Sequence, residues 1–221
     1  MERTLEILTT SFWPILRAGL TITIPLAIVS FAIGLVIAVI TTISRISKIK
    51  IARWFFGFYV WIFRGTPLLV QLFIVFYGLP KVGIKFDSWT AAILTFSLNI
   101  GAYASESIRG AILSIPKGQW EAAESLGMTY SQVLRRVIAP QTIRIALPAL
   151  ANNFIGLVKE TSLASSVTII EMFMVGQQIA ARTYEPLILY SEVAFVYLIF
   201  CTILSYVQRK LEENSSKYVR K

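Results

Sequence analysis

Apolar residues recur along this chain in long runs separated by short basic or mixed stretches. Five runs stand out: Ala18 to Ile43, Trp54 to Leu79, Trp89 to Leu113, Ile145 to Val158 continuing with a break toward Met174, and Leu187 to Val207. Runs of this kind suit helices that cross about 30 Å of hydrocarbon. The pattern predicts an all-α integral membrane protein of about five transmembrane helices. It forms a single domain over residues 1–221, with spans at roughly 18–43, 54–79, 89–113, 145–174 (broken) and 187–207. The opening stretch, Met1 to Pro14, is amphipathic and mixed. It lacks the basic flank, brief apolar core and small-residue cleavage site of a signal peptide, so the first run is expected to stay as an uncleaved span. Small residues repeat every four positions in the first run (Ser30, Gly34, Ala38) and the third (Ser97, Gly101, Ser105). That spacing lets helix backbones approach closely and predicts a packed bundle.

Composition sharpens this picture. Hydrophobic residues make up 56% and charged residues 15% of the chain, against about 25% charged in soluble domains. The net charge of +9 does not signal nucleic acid, because the basic residues lie between apolar runs and not on one soluble face. Their placement orients the chain instead, since cytoplasmic loops are rich in Lys and Arg. Arg45, Lys48, Lys50, Arg53, Arg109, Lys117, Arg135, Arg136, Arg144, Arg209, Lys210, Lys217, Arg220 and Lys221 fall on one side of a five-span arrangement. Arg3, Arg17, Lys81, Lys85 and Arg182 fall on the other. The N-terminus is therefore expected outside and the C-terminus in the cytoplasm. The lone Cys201 lies in an apolar run and reads as a small hydrophobe, and there is no histidine. A disulfide within the chain is excluded, and the common zinc ligand sets are absent.

The segment 114–141 is polar yet patterned as two helices. Pro116 suits a first helical turn, Gln119 to Leu126 is a good helix former, and Gly127 fits a left-handed stop. Thr129 with Gln132 reads as a capping box opening a second helix, which runs through Val133, Leu134 and Val137 to Pro140. This helix–glycine–helix resembles the coupling element of ABC importer permeases, with Glu121-Ala122-Ala123, Gly127, Val137 and Pro140 at the signature positions. Ala139 stands where that family usually has Leu. Further stretches resemble the polar amino-acid branch, of histidine/glutamine type: Phe63 to Leu72 (FRGTPLLVQL), Pro116 to Ala123 (PKGQWEAA) and Leu157 to Leu163 (LVKETSL). Phe76 to Pro80 (FYGLP), Phe154 to Val158 (FIGLV) and Ala181 to Glu185 (ARTYE) look like permeases of L-cystine importers. Glutamine and basic amino-acid permeases share much of these stretches and remain alternatives.

The resemblance implies a multi-pass protein of the bacterial cytoplasmic membrane, embedded in its lipid, that moves a polar amino acid. It implies two ATPase subunits as partners, a second copy or sister permease, and an extracytoplasmic solute-binding protein, with no nucleic acid. Glu121, Ala122, Ala123 and Gly127 would form the coupling surface. The chain has no Gly-x-x-x-x-Gly-Lys-Ser/Thr phosphate loop. It is therefore expected to be no enzyme and to bind no cofactor, ATP and Mg being held by the ATPase. A channel or ATP-independent transporter is a more distant alternative, weakened because five spans do not divide into an inverted repeat. A membrane enzyme is disfavoured because no His, Cys or carboxylate cluster suggests one.

Ionisable groups inside apolar runs are costly and point to function. Lys159-Glu160-Thr161-Ser162 interrupts the fourth run, where a broken helix would offer free backbone groups. Glu160, Thr161 and Ser162 are expected to line the pathway, with Asn152 and Asn153 two turns earlier. Pairing between Lys159 and Glu160 is the alternative. Asn99 and Tyr103, one turn apart in the third run, are further pathway candidates. Glu106 and Arg109, three apart, are expected to neutralise each other. Arg64, before Gly65-Thr66-Pro67, is expected at a kink, its charge held by another helix or the interface.

Overall fold

The computed structural model describes residues 2–216, with side chains as far as Glu213. Lys217, Arg220 and Lys221, counted above in the basic tail, lie outside the described residues. Every regular element among the described residues is helical. Helix α1 (Glu2–Ala18) passes through a π turn (Gly19–Thr23) into α2 (Ile24–Ile46) as one continuous helix. Next come α3 (Lys50–Gly65) and α4 (Leu68–Phe73), the latter extended by a π turn (Ile74–Gly78) and a 3-10 turn (Leu79–Val82). The long central α5 (Ser88–Ser114) leads to the short α6 (Lys117–Ser125). A single rod then comprises α7 (Tyr130–Val133), a π turn (Leu134–Ile138), α8 (Ala139–Glu160) and a 3-10 turn (Thr161–Val167). The chain ends with α9 (Met172–Thr183) and α10 (Pro186–Ser216).

The three π turns share a cause. Each ends two residues before a proline: Thr23 before Pro25, Gly78 before Pro80, Ile138 before Pro140. Proline has no N–H, and its ring crowds the carbonyl four residues back. In each case that carbonyl lies inside the widened turn, which closes through a bond five residues long. Ile24 N–H donates to Gly19 O, Leu79 N–H to Ile74 O, and Ala139 N–H to Leu134 O. This corrects one expectation. The helix opened at Thr129 does not end at Pro140 but runs on into α8, because the π turn absorbs the proline.

Among the described residues, two helices are long and apolar enough to cross a membrane alone, Glu2–Ile46 and Pro186–Glu213. Two bent pairs qualify if each is taken as one span. Lys50–Gly65 with Leu68–Val82 is bent by 107°, and Tyr130–Val167 with Met172–Thr183 by 53°. With 27 residues, α5 is long enough, at about 1.5 Å per residue, but falls short in apolar content. Its position explains why. It packs against α2, α3, α4 and α8, so its Ser97, Asn99 and Ser105 are buried in protein and need not be apolar.

The α2–α5 contact is the most extensive in the bundle. A Cβ on Gly34 would lie 2.7 Å from Ile100 Cγ2, and one on Gly101 2.6 Å from Ile37 Cγ2. Both stripes of small residues thus face this contact, and Thr42 Oγ1 crosses it to Ser105 O at 3.0 Å. Leu26, Leu72, Phe96, Leu157 and Val158 complete the main core. A second core joins α1, α9 and α10 through Ile15, Met172, Leu189 and Val193, and there Ser11 Oγ donates to the Glu192 carboxylate. Asp87 caps α5, accepting from the amides of Trp89 (3.0 Å) and Thr90 (3.1 Å). These bonds and the Thr90 hydroxyl, the largest influence, hold its carboxyl below the usual carboxylate range.

Candidate coupling element and substrate pathway

The segment 114–141 carries its own small core. Ile115, Ala123, Val133 and Ile138 are buried together, with Trp120, Met128 and Val137 against them. Gly127 adopts φ +76°. Its N–H donates to Glu124 O (2.9 Å) and that of Met128 to Ala123 O (3.2 Å), which satisfies the last carbonyls of α6 through a left-handed stop. Thr129 N–H donates to Gln132 Oε1 at 2.8 Å, one arm of the expected capping box. Trp120 stacks on Tyr130 with ring centroids 6.1 Å apart, which locks α6 against α7.

The four coupling candidates divide. Glu121 and Ala122 are exposed, and nothing lies within 4 Å of a Cβ built on Gly127. Ala123 instead faces this chain's own core. Leu126, missed from the sequence, is 82% exposed at the tip of the turn. Its signal was an apolar residue just before a helix stop, where no following turn can cover it. Glu121, Ala122 and Leu126 together present a small, mostly apolar face with one carboxylate.

The pathway candidates also separate. Asn152 and Glu160 are exposed, and with Gly156 they share one face of α8 at four-residue spacing. A cavity of about 380 Å³ is lined by Gly156, Lys159, Glu160, Ser162 and Leu163. Among the described residues Lys159 and Glu160 form no ion pair with each other. Ser162 is half-buried and its hydroxyl donates to Lys159 O at 2.8 Å. Thr161 is fully buried, donating to Val158 O at 2.7 Å. Asn153 reaches across to Ser107 Oγ at 3.4 Å and ties α8 to α5.

Asn99 is buried. Its Nδ2 donates to Gln71 Oε1 at 3.0 Å, while Gln71 Nε2 donates to Phe63 O (2.9 Å) and Thr66 O (3.0 Å). The pair braces the break between α3 and α4. Tyr103, one turn along, is 40% exposed and lies beneath the Arg64 guanidinium, 5.4 Å from the ring centroid. Arg109 bonds Glu106 as expected, with Nη2–Oε2 at 2.7 Å. Arg64 Nη1 lies 3.9 Å from the same carboxylate, and Arg45 pairs with it directly. Glu171, also missed, sits between Ile170 and Met172 with no exposed surface. Its carboxyl accepts from the amides of Phe173 (2.8 Å) and Met174 (2.7 Å) and from Tyr197 Oη (3.2 Å). A carboxylate within an apolar run, just before a helix, was the available clue.

A helical membrane bundle carrying a separate helix–glycine–helix with its own small core is the architecture expected of an importer permease. Residues 30–217 match the family described as binding-protein-dependent transport system inner membrane component, and the chain belongs to that family. It is 51% identical to the L-cystine transport system permease protein TcyB of Bacillus subtilis (strain 168) over 96% of this chain and 91% of that one. It is 37% identical to the arginine transport system permease protein ArtQ of the same organism, over 91% and 94% of the two chains. Among solved structures, an amino acid ABC transporter crystallised with histidines superposes with a TM-score of 0.88 at 32% identity, covering 93% of this chain and 96% of that chain. The MetNI methionine ABC transporter shares the fold at 22% identity and a TM-score of 0.70, over 97% and 99% of the chains. The chain is an amino-acid ABC importer permease, and its family implies an ATPase and a solute-binding protein as partners.

Proposed function

We propose that this permease imports L-cystine across the bacterial cytoplasmic membrane, with ATP and Mg bound and hydrolysed on a separate ATPase subunit. The observation that carries the substrate is the 51% identity to the B. subtilis L-cystine permease along nearly the whole chain. Local chemistry is compatible with it. Cystine offers two ammonium and two carboxylate groups, and the cavity at the end of α8 is lined by both Lys159 and Glu160. Glu160 takes the ammonium and Lys159 the carboxylate, with Asn152 two turns back on the same exposed face of α8 as Glu160. Two copies of the permease would meet the two identical halves of cystine with two such sets. The assembly proposed is two permease chains, two ATPase subunits and one external binding protein, with the N-terminus outside. Glu121, Ala122 and Leu126 form the face that docks on the ATPase, held in place by the Gly127 turn.

The test is uptake of labelled L-cystine by vesicles containing the complete transporter. Unlabelled L-cystine should outcompete arginine and glutamine, and Glu160→Gln should reduce uptake at least about tenfold while the ATPase still co-purifies. Arginine or glutamine winning the competition would overturn the substrate, and normal uptake by Glu160→Gln would overturn the site. Gly127→Val forces a β-branched residue into a left-handed turn and should break the link between substrate and ATP hydrolysis. Wild-type stimulation of the ATPase by substrate in that variant would remove the coupling assignment.

A further inference from the structure

Three arginines from three helices meet one carboxylate. Arg45 ends α2, Arg64 ends α3, and Arg109 joins Glu106 on α5. Glu106 neutralises one of them, so the cluster holds a surplus of two positive charges, with Arg45 and Arg109 partly buried and Arg64 exposed. An anion placed beside these guanidinium groups would complete the charge balance of the cluster.

A cavity of about 370 Å³ opens beside the cluster, lined by Arg45, Gly57, Val60, Trp61, Arg64, Gly65 and Glu106. Two of its walls are glycines, and a Cβ built on Gly57 or Gly65 would meet nothing within 4 Å. Gly57 lies inside a helix with neither a positive φ nor a close neighbour to require it. A glycine there weakens the helix, and what it preserves is open space next to two guanidinium groups. The outer wall is Trp61, 71% exposed. Along the same face of α3, Trp54 stacks on Phe58 and Phe58 on Trp61, with centroids 5.8 and 5.7 Å apart. Such aromatic strips sit at headgroup depth in a bilayer. Exposed Lys48, Lys50 and Arg53 lie just before or within the first turn of α3, and basic pockets between helices at a membrane face suit anionic lipid headgroups.

We propose that this cavity binds the phosphate of an anionic phospholipid between Arg45 and Arg64, with the lipid's glycerol region against Trp61. Free inorganic phosphate offers the same chemistry to the arginines. The aromatic strip at the cavity mouth selects the lipid.

The experiment uses the full chain, purified in its assembled transporter in neutral detergent. It is titrated with phosphatidylglycerol, phosphatidylcholine or inorganic phosphate. Retained lipid is read by native mass spectrometry and stability by the unfolding temperature. Phosphatidylglycerol should be retained over phosphatidylcholine by on the order of tenfold and should raise the unfolding temperature. Arg45→Gln combined with Arg64→Gln should abolish the preference. Gly57→Leu should abolish it too, by filling the cavity while the ion cluster stays intact, so misfolding of the arginine variant would not decide the matter. Arg53→Gln, outside the cavity, should keep it. Equal retention of the two lipids, or an undiminished preference in Gly57→Leu, would overturn the proposal. So would stabilisation by inorganic phosphate without retention of phosphatidylglycerol.

Discussion

Two of the helices are broken, and the two breaks are closed by opposite kinds of side chain. Between α3 and α4, the bend of 107° at Gly65-Thr66-Pro67 leaves carbonyl groups at the end of a helix without N–H partners. A donor serves them: Gln71 Nε2 bonds Phe63 O and Thr66 O, and Asn99 holds Gln71 in turn. Before α9, the bend of 53° leaves amides at the start of a helix. An acceptor serves them: Glu171 takes the N–H groups of Phe173 and Met174, and Thr23 Oγ1 takes that of Met172 at 3.2 Å. Orphan groups at the two ends of a helix have opposite polarity, so the end that is exposed decides whether an amide donor or a carboxyl acceptor repairs it.

The largest effect expected from breaking this comparison is at Glu171. Glu171→Leu strands two amides in a dry interior and should destabilise the protein by about 2–4 kcal/mol. Unfolding in mixed micelles measures this, and a loss below about 1 kcal/mol would mean that the carboxyl does not hold the break. Next is Gln71. Gln71→Leu should cost about 2–3 kcal/mol, and the nearly isosteric Gln71→Glu should be at least as harmful, because it faces an acceptor toward carbonyls. A well-tolerated glutamate would refute the polarity argument directly. Asn99→Ala should cost about 1 kcal/mol, and a double-mutant cycle with Gln71→Leu should give a coupling of about 0.5–1.5 kcal/mol. Additive effects would show that the two amides act independently. The smallest effect belongs to Pro67→Ala, expected within about 0.5 kcal/mol. Spin-label distances across the bend should not change if the Gln71 clamp, and not the proline, maintains it.

The helix–glycine–helix of residues 114–141 was legible in the sequence because its determinants are local. The Gly127 stop and the pairing of Gln132 with Thr129 act within a few residues, and the bond between Arg109 and Glu106 needs only one helical turn. The continuation of the helix through Pro140 was not legible, since whether a proline stops a helix or widens it depends on what holds the helix beyond it. Nor was the inward turn of Ala123 beside the exposed Ala122, because both are equally small.

By itself the sequence determined that this is a helical membrane protein of the importer-permease family. Apolar run length and the coupling signature are properties of the chain alone, and no fold could disguise them. Only the tertiary structure decided which polar groups within the apolar runs are engaged by the protein itself. Asn99 is engaged by Gln71, Thr161 by the carbonyl of Val158 and Asn153 by Ser107, whereas Glu160 and Asn152 stay open. It also gathered Arg45 and Arg64 onto Glu106 from helices far apart along the chain. Helical spacing assigns a residue to a face. What covers that face comes from other segments, and burial and partnership follow from the cover.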